Sequence, residues 1–251
     1  DKDELNLNLK KIDLKINENL GEFLPSLYKG IKNVKFPNFK NWRKICSIRK
    51  NKDIIPNLFN KRNPIDLYRF MYLLGNKATN KHVLITDAGS NYYIGGQAWH
   101  FNNGGKEISS GANAAMGLSL PLSIGAAVEE KKNQILSVTG DGSIELNIQE
   151  LKTISHYKLN IKTFVINNGG YVSMKKWQDN FFAGNRLDTE DKTGAGTLNF
   201  KKIAAAFDLK YVRINKENEI NRKLKEIMSN NLPYLVEVVT DPNQKIYGKE
   251  F

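Results

Sequence analysis

Cysteine occurs once in these 251 residues, at Cys46, which excludes an internal disulfide and the stapled scaffolds of small secreted domains. No histidine lies near it in sequence, so a buried or half-buried structural thiol is expected rather than a nucleophile. Histidine is almost as scarce: His82, His100 and His156 share no metal-ligand spacing, and zinc sites need such ligands in clusters. His82 and His156 fall beside strand and helix ends and read as structural. His100, in the run Gln97 to Phe101, is a candidate to touch substrate. No apolar run reaches the roughly 18 residues of a membrane-spanning helix, a signal peptide is not expected, and repeats and low-complexity segments are missing. Together these absences favour a soluble, cytoplasmic protein with no membrane partner.

Positive charge is in excess, with 38 Lys and Arg against 26 Asp and Glu. The lysine pairs at Lys10-Lys11, Lys131-Lys132, Lys175-Lys176 and Lys201-Lys202 are scattered, and no helix-turn-helix, zinc or aromatic-basic signature joins them. Dispersed lysines read as a solvated surface, so no nucleic-acid partner is expected; the charge can instead draw in anionic substrate and cofactor. At 40% hydrophobic and 25% charged residues, the chain can bury one substantial core.

Strand-like runs near residues 82–86, 106–109, 135–139, 161–166, 210–214 and 234–240 alternate with helical patterns. That order predicts an α/β fold: a doubly wound, mostly parallel six-stranded sheet flanked by helices. A polar, Pro-containing stretch over 37–63, with one short helical piece, reads as a linker, and residues 64–251 as the main domain. Residues 1–36 hold a strand-like run, Lys11 to Ile16, and an amphipathic stripe of Leu20, Phe23, Leu24, Leu27 and Tyr28. The stretch from Gly184 to Gly196 reads as a mobile loop.

The most informative pattern is Gly140-Asp141-Gly142-Ser143 behind one apolar strand and Asn167-Asn168 behind another. Asp141 and Asn168 stand 27 residues apart, which suits one strand-helix-strand crossover of roughly 30 residues. Parallel neighbours would bring both to one sheet edge, where open α/β sheets bind ligands. A carboxylate beside an amide oxygen suits Mg²⁺, which prefers hard oxygen ligands and shares itself with a diphosphate. Gly140 and Gly142 would let backbone approach the ligand, and the N–H groups of Gly142 and Ser143 would begin a helix through Ile148 and Leu151 that attracts phosphate. The turn Gly169-Gly170 can add a backbone carbonyl, with Tyr171 following at the same edge.

These residues resemble the thiamine diphosphate fingerprint, and residues 53–245 resemble the diphosphate-binding, C-terminal domain of the acetolactate synthase family. Ser110 to Gly117, continuing into Leu120-Pro121 and Ile124 to Ala126, is similar to that family's loop and helix under the cofactor rings. Asn147 to Leu151 matches the helix after Gly-Asp-Gly. The tract from Asn167 to Phe182 looks most like relatives linked to surface-polysaccharide gene sets. The resemblance implies thiamine diphosphate and Mg²⁺ as cofactors, with metal ligands from Asp141, the Asn168 side chain and the Gly170 carbonyl. It places Gly89, Ser90, Asn91, Gly140, Gly142, Ser143 and Tyr171 around the cofactor. Met116 becomes the wedge that bends it, the Ala114 carbonyl accepts its 4'-amino group, and Trp177 selects the acceptor.

The implied reaction is decarboxylation of a 2-oxo acid such as pyruvate and transfer of its acyl carbanion equivalent to a carbonyl acceptor. A decarboxylase or lyase acting on a sugar-linked substrate, and a cofactor-binding protein without turnover, stay open as alternatives. In the family the glutamate that activates the pyrimidine ring comes from a separate domain. The expected partners are therefore a pyrimidine-binding domain, from the same polypeptide or another subunit, in a homodimer or tetramer. Residues 1–36 would be a remnant of the preceding central domain. FAD stays open, because the family's flavin site lies mainly in that central domain.

Overall fold

The computed structural model describes residue 5 and residues 13–52, 63–99 and 105–247, without the side chains of 50–52. The chain divides into two units, Asp1–Lys50 and Asn51–Phe251. In the first, α1 (Leu20–Ile31) starts where the Asn19 side chain accepts the Gly21 N–H at 2.8 Å, and it carries the expected apolar stripe. Every residue of that stripe is at least partly exposed, and α1 has no buried residue. A second helix, α2 (Lys40–Lys52), fills much of the stretch that reads as a linker.

Two expectations fail here. Residues 13–18 form no strand, while Lys11 and Ile12 lie outside the described residues, as do Lys10 and His100. Cys46 is exposed rather than buried. The helix that carries it is polar on most faces, so nothing draws the thiol inward.

The second unit is built on six parallel strands: β1 (His82–Thr86), β2 (Lys106–Ser109), β3 (Gln134–Gly140), β4 (Ile161–Asn167), β5 (Lys210–Ile214) and β6 (Tyr234–Val239). Their order across the sheet is β2-β1-β3-β4-β6-β5. The central strands are buried along nearly their whole length, which is why they read as continuous apolar runs. Edge strands β2 and β5 are only partly covered. Alternation sends Leu84, Phe164 and Val236 to one face and Val83, Val165 and Leu235 to the other.

The first face packs against α3 (Leu67–Lys77), α4 (Gly89–Ala98) and α9 (Ile220–Met228). The second packs against α5 (Ser119–Glu129), α6 (Glu150–His156) and α8 (Phe200–Ala206). This doubly wound sheet is the fold expected from the sequence, with every strand parallel. Its order reverses between β1 and β3, and such a switch point opens a crevice at the strand C-termini. Among the described residues no helix is long and apolar enough to cross a membrane.

Candidate active site

Three strand ends meet at that crevice. The loop after β1 brings Gly89, Ser90 and Asn91; the loop after β3 brings Gly140, Asp141, Gly142 and Ser143; the loop after β4 brings Asn168, Gly170 and Tyr171. With Met116, which is 37% exposed, they line one cleft of about 180 Å³. Complete small-molecule sites run from roughly 300 to 1,000 Å³, so these walls enclose only part of one. Ala114 and Trp177 are not among the lining residues. Ala114 holds the left-handed backbone (φ 41°) two residues before Met116.

Asp141 is the cleft's buried charge. Its Oδ1 accepts the Gly142 N–H at 2.9 Å, and its Oδ2 accepts those of Asn168 at 3.1 Å and Gly170 at 3.0 Å. The carboxylate thereby fastens the β3 loop to the β4 loop. Burial pushes the Asp141 carboxyl above its usual range, while the Gly170, Gly142 and Asn168 amides pull the other way. A divalent cation would favour the charged form. Burial also raises Glu145, helped by the Asp141 charge.

The donor set fits such a cation. Asn168 Oδ1 is buried with no hydrogen-bond partner, which is costly unless something fills the vacancy in its bonding. The Gly170 carbonyl accepts the Val172 N–H at 3.1 Å and retains a second lone pair. Among the described residues no three His, Cys, Asp or Glu side chains converge, in keeping with a set of one carboxylate and two neutral oxygens.

The same cleft suits an anion. Helices α4 and α7 (Val172–Phe181) both begin here, and neither N-cap, Ala88 or Tyr171, supplies a side-chain cap. Uncapped helix starts offer N–H groups and a positive dipole end to phosphate. Ser173 Oγ, buried and unpartnered, lies on the wall between them. Sequence reasoning missed Ser173, although its place in the first turn of a helix behind Tyr171 is a usable signal.

Gly140 and Gly142 both line the cleft. A Cβ on Gly142 would stand 2.3 Å from Tyr171 Cε1, so that glycine makes room for the tyrosine ring. A Cβ on Gly140 would meet Ser143 Cβ at an ordinary 3.6 Å. Nor is the following helix continuous: a 3₁₀ turn over Ile144–Asn147 precedes α6. Leu146 there packs so close to Gly117 that a Cβ on Gly117 would lie 2.7 Å from its own, which keeps this first turn tight.

Trp177 sits on α7, 47% exposed, with ring centroids 4.6 Å from Phe181 and 6.3 Å from Phe182. It lines a second hollow with Tyr93 and Ile246 that shares Ser173 and Met174 with the main cleft. The segment expected to be mobile is tied down. Arg186 pairs with Asp179 at 2.8 Å and Glu190 at 3.2 Å, and the Thr189 carbonyl accepts the Tyr171 N–H at 2.9 Å. His82 Nδ1 accepts the Thr79 N–H at the start of β1, and the exposed His156 ring meets that of Tyr157 edge-on at 4.9 Å.

Against known proteins, the family described as "Thiamine pyrophosphate enzyme, C-terminal TPP binding domain" matches residues 87–238. The chain is 30% identical over 185 residues to acetolactate synthase isozyme 1 large subunit of Escherichia coli K12, covering 74% of this chain and 32% of that protein. It is 26% identical over 232 residues to the mitochondrial acetolactate synthase of Schizosaccharomyces pombe, covering 90% and 34%. A probable acetolactate synthase large subunit of Methanocaldococcus jannaschii is 32% identical over 196 residues, covering 78% and 32%. The chain thus spans about a third of the length of these relatives.

Proposed function

This chain belongs to the family of thiamine pyrophosphate enzyme C-terminal TPP binding domains, and from that premise we propose that it forms the diphosphate- and Mg²⁺-holding half of a thiamine diphosphate-dependent carboligase of the acetolactate synthase-like group. Asp141, Asn168 Oδ1 and the Gly170 carbonyl would hold the metal. The helix starts at Gly89 and Val172, with the backbone at Gly142 and Ser143, would take the diphosphate. When bound, thiamine diphosphate lets a 2-oxo acid lose carbon dioxide and pass its acyl carbon to a carbonyl acceptor. Met116 at the mouth of the cleft would press on the cofactor, and Trp177 in the neighbouring hollow would meet the acceptor.

The other half of the site would come from a pyrimidine-binding domain, on the same polypeptide or on a second subunit of a homodimer or tetramer. Residues 1–36 would end the preceding domain, residues 37–63 would link it to 64–251, and the enzyme would work in the cytoplasm.

One observation carries this reading: Asn168 donates its N–H to Asp141 while its buried Oδ1 has no partner. Calorimetric titration of the complete protein with Mg²⁺ and thiamine diphosphate tests it. Asp141→Ala is expected to weaken binding by more than about tenfold, or about 1.4 kcal/mol per decade. Equal affinities for the two proteins would overturn the assignment.

A further inference from the structure

We infer that Asp87 is a positioning residue that clamps both ends of the 110–117 segment and so sets Met116 at the cleft. This inference rests on the thiamine diphosphate reading of the site. Asp87 opens the turn out of β1, is fully buried, and among the described residues pairs with no lysine or arginine. A buried carboxylate without a counter-charge is expensive unless donors surround it. Four do. Oδ1 accepts the Ala88 N–H at 2.7 Å and Asn91 Nδ2 at 3.0 Å, and Oδ2 accepts Thr139 Oγ1 and Ser143 Oγ, each at 2.8 Å.

The chemistry of the acceptor then fixes the chain of bonds beyond it. An ionised carboxylate only accepts, so the Ser143 hydroxyl must spend its proton on Asp87. Its lone pairs are left for the Gly117 N–H, which reaches Ser143 Oγ at 2.9 Å. At the other end, Ser110 Oγ donates to the Asp87 carbonyl at 3.1 Å. Asp87 therefore holds both ends of the eight-residue segment 110–117, one through its backbone carbonyl and the other through Ser143.

The span between needs such ties. Gly111, Ala114 and Gly117 all take positive φ (62°, 41° and 77°), and left-handed backbone at a non-glycine residue is costly. Its own backbone offers little: Ala114 N–H reaches the Gly111 carbonyl only at 3.3 Å. An amide at position 87 could still accept from Ala88, but it would turn N–H₂ toward Ser143 or Thr139 and scramble the relay.

Hydrogen exchange and ligand titration on the complete protein test the clamp. In the cofactor-free protein, Asp87→Asn and Ser143→Ala are expected to speed exchange of amides 111–117 by about tenfold or more while β1 and β3 stay protected. Thr139→Val removes a donor from the same carboxylate oxygen but touches no part of the span, so it should leave those amides within about twofold. Should Asp87→Asn fail to fold, the contrast between Ser143→Ala and Thr139→Val decides alone.

In titrations, Asp87→Asn should lose about tenfold or more in affinity for Mg²⁺-thiamine diphosphate and less than about threefold for Mg²⁺-pyrophosphate, which lacks the rings. Unchanged exchange in 111–117, a uniform rise that includes β1 and β3, or equal losses for both ligands would overturn the inference. If the wild type binds pyrophosphate but not thiamine diphosphate and the exchange contrast holds, the clamp stands and the cofactor reading falls.

Discussion

Gly140 and Gly170 border the same cleft, yet only one of them has to be glycine. Gly170 sits at φ 115°, and a Cβ there would lie 2.3 Å from the Thr189 carbonyl oxygen, a backbone atom that cannot swing away. Its N–H also donates to Asp141. Gly170→Ala is therefore expected to cost roughly 2–4 kcal/mol of stability from strain and overlap together, and to weaken Mg²⁺-dependent binding as well. Gly140→Ala should stay within about 1 kcal/mol. Urea unfolding of both variants checks the pair, and equal effects would show that the Thr189 contact does not govern the turn. From sequence the two glycines look alike, because the crowding at Gly170 comes from a loop nineteen residues further along the chain. Asp87 was illegible for the same reason: a lone Asp at a strand end reads as an ordinary turn residue until its partners at Ser110, Thr139 and Ser143 are in place.

At the scale of elements, the strands were the legible part, since burial on both faces writes a continuous apolar run that periodicity exposes. Buried charges break that pattern at Lys162 and Glu237. Lys162 lies fully buried near the start of β4, where its Nζ donates to the Asn230 carbonyl at 2.8 Å and to the Leu232 carbonyl, 5.0 Å from the Tyr234 ring centre. Burial, with a smaller push from Lys210, brings its pKa from 10.5 down to about 8. The folded state thus prefers the neutral amine, and between about 8 and 10.5 the unfolded chain binds more protons. Stability from this group is present above 10.5 and is lost as pH falls through about 8. Lys162→Met should flatten the rise in stability over that window, read by denaturant unfolding from pH 7.5 to 10. A parallel slope in the variant would place the pH dependence elsewhere. What periodicity did not reveal were the elements set by distant contacts. The broken helix after Ser143 answers to Gly117, and the 184–196 segment is held by Arg186 on Asp179 and Glu190, by Thr189 Oγ1 on Gln178 Oε1 and by the Leu187 backbone on the Gln178 amide, while Asn185, Asp188, Asp191 and Lys192 stay exposed.

At the scale of the whole molecule, the cleft encloses less than a complete cofactor site needs. Its walls surround about 180 Å³, and the one carboxylate among the described residues that line it, Asp141, already accepts three backbone N–H groups. A base or acid facing the opposite side of a bound cofactor has no source among the described residues of the lining. Met116 and Met174 line the cleft, Trp177 lines the adjoining hollow, and Phe181 and Phe182 lie against the Trp177 ring; all five are between 37% and 59% exposed, and apolar surface of that kind marks a face that another surface covers. The relatives are about three times as long as the matched part, so they carry enough additional chain to supply that surface. We therefore predict that the purified 251-residue chain binds Mg²⁺-pyrophosphate but consumes no 2-oxo acid. Adding a separately produced pyrimidine-binding domain should restore consumption, with sedimentation showing the two parts associated. Asp141→Ala in the chain should abolish the restored activity without preventing the association, because Asp141 lies buried inside the cleft while Trp177, Phe181 and Phe182 are exposed and outside its lining. Turnover by the 251-residue chain alone would show that the half-site picture is wrong.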